Sequence, residues 1–268
     1  MSFLMFVVGI VIVVFAFKFN LWLGFAVLAA LLAYLVYSNI PTFYMTKGNM
    51  AFQAGDEEEA LAWYKKAYDT GKTNVKFKSS YAYLLLRTGK ADEAEEILNP
   101  IIRVKALEPA KRNMAKQQRC MVYYKQGRLD EAIEEALELY NDGYKTTNLY
   151  GMLGFFMLLA DKPLDETLKI CEEAYDFNKE NRDILDNLSL CYYRMGRYED
   201  AEKVSNELLE TQTDFVEGYY HGAQIALKLG KNDKAKEYVE KIDSCKRSSM
   251  TTVSEEEVEA LKQEVNKN

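Results

Sequence analysis

One histidine, His221, and four cysteines, Cys120, Cys171, Cys191 and Cys245, are all that this 268-residue chain offers toward soft metal chemistry. No Cys-x-x-Cys pair occurs among them. A structural zinc site needs about four closely placed ligands, so these spacings exclude one. The thiols read as free, buried cysteines of a reducing compartment. A phosphate loop is missing too, because Gly151-Met152-Leu153-Gly154 lacks the lysine and the preceding strand that such a loop requires. Two glycines so spaced on a helix mark close packing instead. His221 has no serine or cysteine arranged beside it for nucleophilic catalysis, and it reads as a partly buried or groove-lining side chain. No catalytic residue, metal or cofactor is therefore expected, and the chain does not read as an enzyme.

Charge is absent from the head of the chain. Nothing charged precedes Lys18, and nothing charged lies between Lys18 and Lys47. Two apolar runs, Ser2 to Phe17 and Leu21 to Tyr37, flank Lys18-Phe19-Asn20. At ~1.5 Å per residue each run reaches roughly 25 Å, a little short of the ~30 Å hydrocarbon layer. A single unbroken helix would be about 50 Å long and would leave Lys18 near mid-bilayer, at a cost on the order of 3 kcal/mol. A transmembrane helical hairpin over residues 1–40 avoids that cost by putting Lys18 and Asn20 among the headgroups. Trp22, Tyr34, Tyr37 and Tyr44 suit its interfacial ends. A single span stays open as the alternative, since both runs are short. A cleaved signal peptide would begin with a basic segment and carry one apolar stretch, whereas this chain has no basic residue before Lys18 and has two stretches.

Beyond Lys18 the chain carries 33 basic against 41 acidic residues. That balance argues against a nucleic-acid partner. Lys18 and Lys47 barely discriminate sidedness, so the reduced cysteines decide it. They imply a multi-pass protein of the cell membrane, its lipid contact confined to residues 1–40 and the remainder cytoplasmic.

What the chain does possess is a recurring pair of small residues. Gly55/Ala60, Gly89/Ala94, Gly127/Ala132, Gly196/Ala201 and Gly230/Ala235 each stand five apart. Steps of 34 residues separate Gly55 from Gly89 and Gly196 from Gly230, with 38 from Gly89 to Gly127. A period of this size means stacked supersecondary units in place of one globular core. Each unit reads as two amphipathic helices. Phe43 to Ala54 is helix A of the first, Gly55 breaks it with a left-handed backbone, and Glu57 to Thr70 is helix B. Acidic residues follow the breaks (Asp56-Glu57-Glu58-Glu59, Asp92-Glu93, Asp130-Glu131, Asp165-Glu166, Glu199-Asp200), where they are expected to cap and complement the start of helix B. The alanine lets helix B approach helix A.

In these features the chain resembles the tetratricopeptide repeat (TPR) family over about Phe43 to Asp243. The best matches are Tyr123-Tyr124-Lys125-Gln126-Gly127-Arg128-Leu129-Asp130-Glu131-Ala132 and Cys191-Tyr192-Tyr193-Arg194-Met195-Gly196-Arg197-Tyr198-Glu199-Asp200-Ala201. Lys47-Gly48-Asn49 and Trp63-Tyr64-Lys65-Lys66-Ala67 match in the first unit. The resemblance implies an all-α fold, a right-handed α-solenoid over residues 41–243. Its six units lie near 43–74, 77–108, 115–145, 146–181, 184–216 and 218–243. A capping helix follows at 253–268, where Ser254 and Glu257 form a capping box and Val253 and Val258 a hydrophobic staple. The fourth turn reads Ala160-Asp161-Lys162-Pro163-Leu164 with Thr167 in place of alanine, which calls for a longer turn. The third unit is offset by four residues around Glu108-Pro109-Ala110-Lys111. Asn187-Leu188-Ser189 is a formal glycosylation sequon, discounted because it falls within a helix A.

Helix A lines the concave side in this family. The positions counted inward are Tyr44, Lys47, Lys78, Tyr81, Leu85, Lys116, Arg119, Tyr123, Tyr150, Tyr192 and Tyr219. Aromatic and cationic side chains together suit a protein or peptide ligand with acidic and apolar residues. Inter-repeat packing is the alternative for the tyrosines, and neutralisation of the acidic B helices is the alternative for the cations. The lysine-and-asparagine pair with which some family members hold a C-terminal carboxylate is missing, since Ala51 follows Lys47 by four residues. The resemblance thus implies a non-catalytic, membrane-anchored scaffold or adaptor. A self-assembling subunit, its repeats mediating homo-oligomers, is the second reading.

Overall fold

A computed structural model describes residues 3–211, 214–247 and 251–267. Fourteen helices and no strand occur among these residues. The chain divides into two compact units, residues 1–84 and 85–268.

The first unit opens with α1 (Phe3–Phe19) and α2 (Leu21–Gln53). They form an antiparallel hairpin about Asn20, whose side chain caps α2 by accepting from the amides of Trp22 and Leu23. Gly9 faces Leu31, and a Cβ on Gly24 would collide with the Phe17 ring, which also meets Phe25 edge-on at 5.2 Å. Pro41 lies inside α2, and the helix runs on through the first A segment to Gln53. A proline removes one backbone hydrogen bond and leaves the rest of the ladder intact. The boundary expected at residue 40 therefore falls within a helix. Next, α3 (Glu57–Asp69) returns along α2, with Tyr64 fitted over Gly48 and donating to Asn49. The division between the units falls within α4 (Val75–Arg87).

The second unit continues as A and B helices in alternation: α5 (Ala91–Ile102), α6 (Pro109–Lys125), α7 (Leu129–Asn141), α8 (Thr147–Leu159), α9 (Leu164–Phe177), α10 (Arg182–Arg194), α11 (Tyr198–Thr211), α12 (Val216–Lys228) and α13 (Asn232–Ile242). The even-numbered helices are A helices. α6 has 17 residues where α8, α10 and α12 have 13, and these four additional residues produce the step of 38. The turn between α6 and α7 shows the shared geometry. Gly127 takes φ of 76°, its amide donates to Tyr124, and the Arg128 amide donates to Tyr123, closing the end of helix A in a left-handed cap. In the fourth repeat Asp161 takes that role at φ 47°. One more residue enters there, so Thr167 donates its amide to Pro163 as Ala132 does to Arg128.

Ala94, Ala132, Ala201 and Ala235 have no exposed surface, and neither has Thr167, whose hydroxyl is satisfied by the Pro163 carbonyl at 3.1 Å. The acidic first turns are present, but α5, α7, α9 and α13 lack a side-chain cap. Asp56 alone of the quoted acidic residues is seen to cap, accepting from the Glu59 amide. Elsewhere these carboxylates act through the helix dipole and through ion pairs.

Apolar burial in this unit is a succession of local clusters. One joins Cys120, Ala136, Leu149 and Phe156, the next Leu158, Leu185, Leu188 and Leu208, and the last Tyr219, Tyr238, Val239 and Ile242. Such a stack holds each pair through its neighbours. The open end is covered by α14 (Glu255–Lys267), which buries Val258, Leu261 and Val265 in the last cluster. Ser254 and Glu257 exchange backbone-to-side-chain hydrogen bonds of 2.7 and 3.1 Å, forming the expected capping box. All four cysteines are free.

The alanine contact is the tightest recurring constraint. Ala132→Leu is expected to lower stability by about 1–3 kcal/mol through overpacking, whereas Ala132→Thr, matching Thr167, should cost less. Thermal unfolding of the two variants checks this, and equal losses would contradict it.

Candidate functional site

The A helices of the second unit are joined side by side through polar contacts. Asn187 of α10 donates to the Gly151 carbonyl of α8 at 2.7 Å. A Cβ on Gly154 would meet Asn187 Nδ2 at 3.1 Å and Cys171 Sγ at 3.3 Å, so the two glycines of α8 do mark a close approach. His221 Nδ1 of α12 lies 2.8 Å from Asp186 Oδ1 of α10. Beyond these links runs an aromatic stripe. Tyr124 of α6 meets Phe155 of α8 edge-on at 5.4 Å, Tyr193 of α10 packs on Tyr198 at the start of α11 at 5.7 Å, and Tyr220 of α12 packs on His221 at 5.5 Å and accepts from Gln224.

Burial and carboxylates from other helices act on the tyrosines of this stripe. Burial raises the Tyr124 phenol above its ordinary value, and the Glu217 carboxylate of α12 adds to the effect although α8 and α10 intervene. Tyr220 is raised by burial and then by Glu257, Tyr193 and Glu264, so α14 closes the same face. Glu217 is itself held at its edge by the Thr252 amide and hydroxyl at 2.6 and 3.1 Å.

The residues expected to face inward occupy a different stripe. In the first unit Tyr44 stacks on Trp63 of α3, Lys78 lies over the Tyr68 ring, and Tyr81 is buried against Tyr64 and Tyr68. Lys47 remains exposed on α2. In the second unit Leu85, Tyr150 and Tyr219 are buried, Tyr150 donating to Glu173 of α9 and Tyr219 packing on Tyr238 of α13. Lys116 pairs with Glu138 at 2.8 Å. Arg119 forks onto Glu135 at 2.5 and 3.0 Å and also donates to Asn99. Tyr123 lies under Arg128, and Tyr192 donates to Glu172. Apart from Lys47 and Leu85, each of these contacts a B helix or the turn leading into one. The reason is angular, because neighbouring positions on a helix diverge by about 100°. Tyr124 and Tyr193 immediately follow the tyrosines first chosen, and Tyr220 immediately follows Tyr219. The doubled tyrosines were a visible signal of two faces without saying which was inner. His221, expected to be partly buried or groove-lining, is largely buried against Asp186.

A tetratricopeptide repeat model matches residues 51–118 and 158–224, and two further models of that description match 26–75 and 216–246. The chain belongs to the tetratricopeptide repeat family. Among solved structures it is similar to PilF of Pseudomonas aeruginosa, with a TM-score of 0.62 and 15% identity over 85% of this chain and 99% of that one. A TPR protein of Parabacteroides merdae gives 0.60 and 14% over 85% and 86%. YrrB, a TPR protein with an unusual peptide-binding site, gives 0.50 and 15% over 75% and 97%. At these identities the likeness concerns the fold. None of the curated proteins compared with the chain matches it significantly.

Two outcomes follow for the TPR stack. Arg119→Ala strands the buried Glu135 carboxylate, so it should lower stability by about 3 kcal/mol. Chemical unfolding measures this, and an unchanged midpoint would contradict the structural role. His221 gives a pH dependence. Burial pushes its imidazole down, but the Asp186 charge and hydrogen bond, aided by Glu217, outweigh burial and raise it. The folded state therefore holds the proton more tightly. That stabilisation is complete below about pH 6.5 and fades as pH rises through the higher folded value. The thermal midpoint should fall between pH 6 and pH 8, more steeply than in His221→Gln. Parallel profiles would exclude the pair as the source.

Proposed function

We propose that this TPR protein is a non-catalytic scaffold, anchored in a membrane by α1 and α2, that holds a protein or peptide along the A-helix face of residues 85–268. The observation that carries the binding half is the stripe of Tyr124, Phe155, Tyr193 and Tyr220 on consecutive A helices. These side chains combine large contact area with few rotatable bonds, and three of them end in a hydroxyl, which favours an adaptable peptide contact. The TPR fold serves protein–protein interaction, and YrrB is a neighbour of this fold with a peptide-binding site. The ligand is read as apolar and hydrogen-bonding. Its expected acidic character loses its basis, since Lys116 and Arg119 already neutralise Glu138 and Glu135.

The anchoring half rests on α2, a helix long and apolar enough to cross a membrane, with 6% of its most apolar stretch buried. Val8, Val11, Phe15, Phe25, Leu32 and Val36 are exposed on α1 and α2, an arrangement that lipid would satisfy.

A photo-crosslinking side chain at Tyr193 or Tyr220 should capture the same protein in native membranes, while one at the exposed Lys236 on α13 should not. Capture from Lys236 alone would overturn the binding half. Carbonate-washed membranes should retain the full chain, and its release would overturn the anchor.

A further inference from the structure

The first repeat turns back toward the apolar hairpin. Because α2 is unbroken, α3 packs antiparallel on it, with Trp63 against Tyr44 at 5.7 Å, and its end arrives beside residue 37. There the Lys72 ammonium lies 2.9 Å from the centre of the Tyr37 ring. Tyr37 closes the apolar run that begins at Leu21, roughly 25 Å away along the helix. A bilayer that holds Lys18 and Asn20 at one surface therefore meets Tyr37 and Lys72 at the other.

The turn from α3 to α4 is distinctive in charge. Between Asp69 and Asp92 the sequence has no carboxylate, while Lys72, Lys76 and Lys78 fall close together in the turn and the first turn of α4. Asp69, the nearest acid, faces Lys65 at 3.5 Å. Lys72 and Lys76 are exposed, and α4 opens with no acidic residue in its first turn, unlike α3 with three. Among the described residues no carboxylate is seen paired with Lys72 or Lys76, and the adjoining end of the apolar run is exposed at Val36 and Tyr37.

We infer that the α3–α4 turn is a contact for anionic phospholipid headgroups, with Lys72 and Lys76 binding the phosphates of the leaflet where α2 emerges and Tyr37 seated between them and the acyl region. This rests on the reading that α1 and α2 enter a bilayer. Lipid is the occupant favoured by position, because the cations stand where an apolar helix ends and an interfacial tyrosine begins. Each lysine near such a surface favours anionic lipid by about fivefold, so the pair gives a preference of more than tenfold. The turn thereby holds the first repeat at a set height on the membrane.

The test uses the full chain in vesicles of phosphatidylcholine with or without one-fifth phosphatidylglycerol, followed by native mass spectrometry of retained lipid. Flotation with the vesicles is scored first, and failure to float overturns the anchor and this inference with it. For chain that floats, preferential retention of phosphatidylglycerol is expected. Lys72→Gln with Lys76→Gln should cut that preference more than tenfold at unchanged helicity, and Lys72→Arg with Lys76→Arg should keep it. A wild-type chain that floats without the preference, or a glutamine variant that retains it, overturns the inference while leaving the anchor intact.

Discussion

A small side chain on the B helix, five or six residues beyond a left-handed turn, sets how each pair of helices meets. Ala94, Ala132, Ala201 and Ala235 leave no surface to solvent, so a larger side chain there would have to displace one helix of the pair. Thr167 holds the same place only because its hydroxyl turns back onto the Pro163 carbonyl. Once that contact is made, the rotation of each A helix is decided. One stripe packs against B helices, and another meets the neighbouring A helices.

The two stripes divide the chemistry. The packed one takes the strong polar contacts, such as Arg119 with Glu135 and the Glu173 carboxylate, which Lys145, Tyr140 and Tyr150 together hold down to about 2. These pairs tie neighbouring helices at the cost of removing most of their cations from reach. The other stripe keeps aromatic rings and amides, joined by Asn187 and by the His221–Asp186 pair. A surface of that kind favours contact area and hydrogen bonding over charge attraction.

Much of this could be read from residues. The paired glycines and alanines located the turns, the offset near Pro109 foretold the longer α6, and Thr167 foretold the extended fourth turn. Helix continuity at Pro41 could not be read so easily, because proline discourages a helix locally and packing of α3 along α2 overrides it. The contacts of the A-helix tyrosines were hard to read for a different reason. Tyr123 and Tyr124, Tyr192 and Tyr193, and Tyr219 and Tyr220 are chemically identical neighbours, so the sequence alone does not tell their faces apart. The alternative roles considered for the first set, packing and neutralisation, are the ones most of its members fill.

The central claim is that the free stripe, not the packed one, meets a partner. Hydroxyl-radical footprinting of the full chain, alone and with its crosslinked partner, tests this directly. The account predicts protection of Tyr124, Phe155, Tyr193 and Tyr220 with B-helix side chains unchanged. Protection confined to exposed residues of α7, α9, α11 and α13 would contradict it.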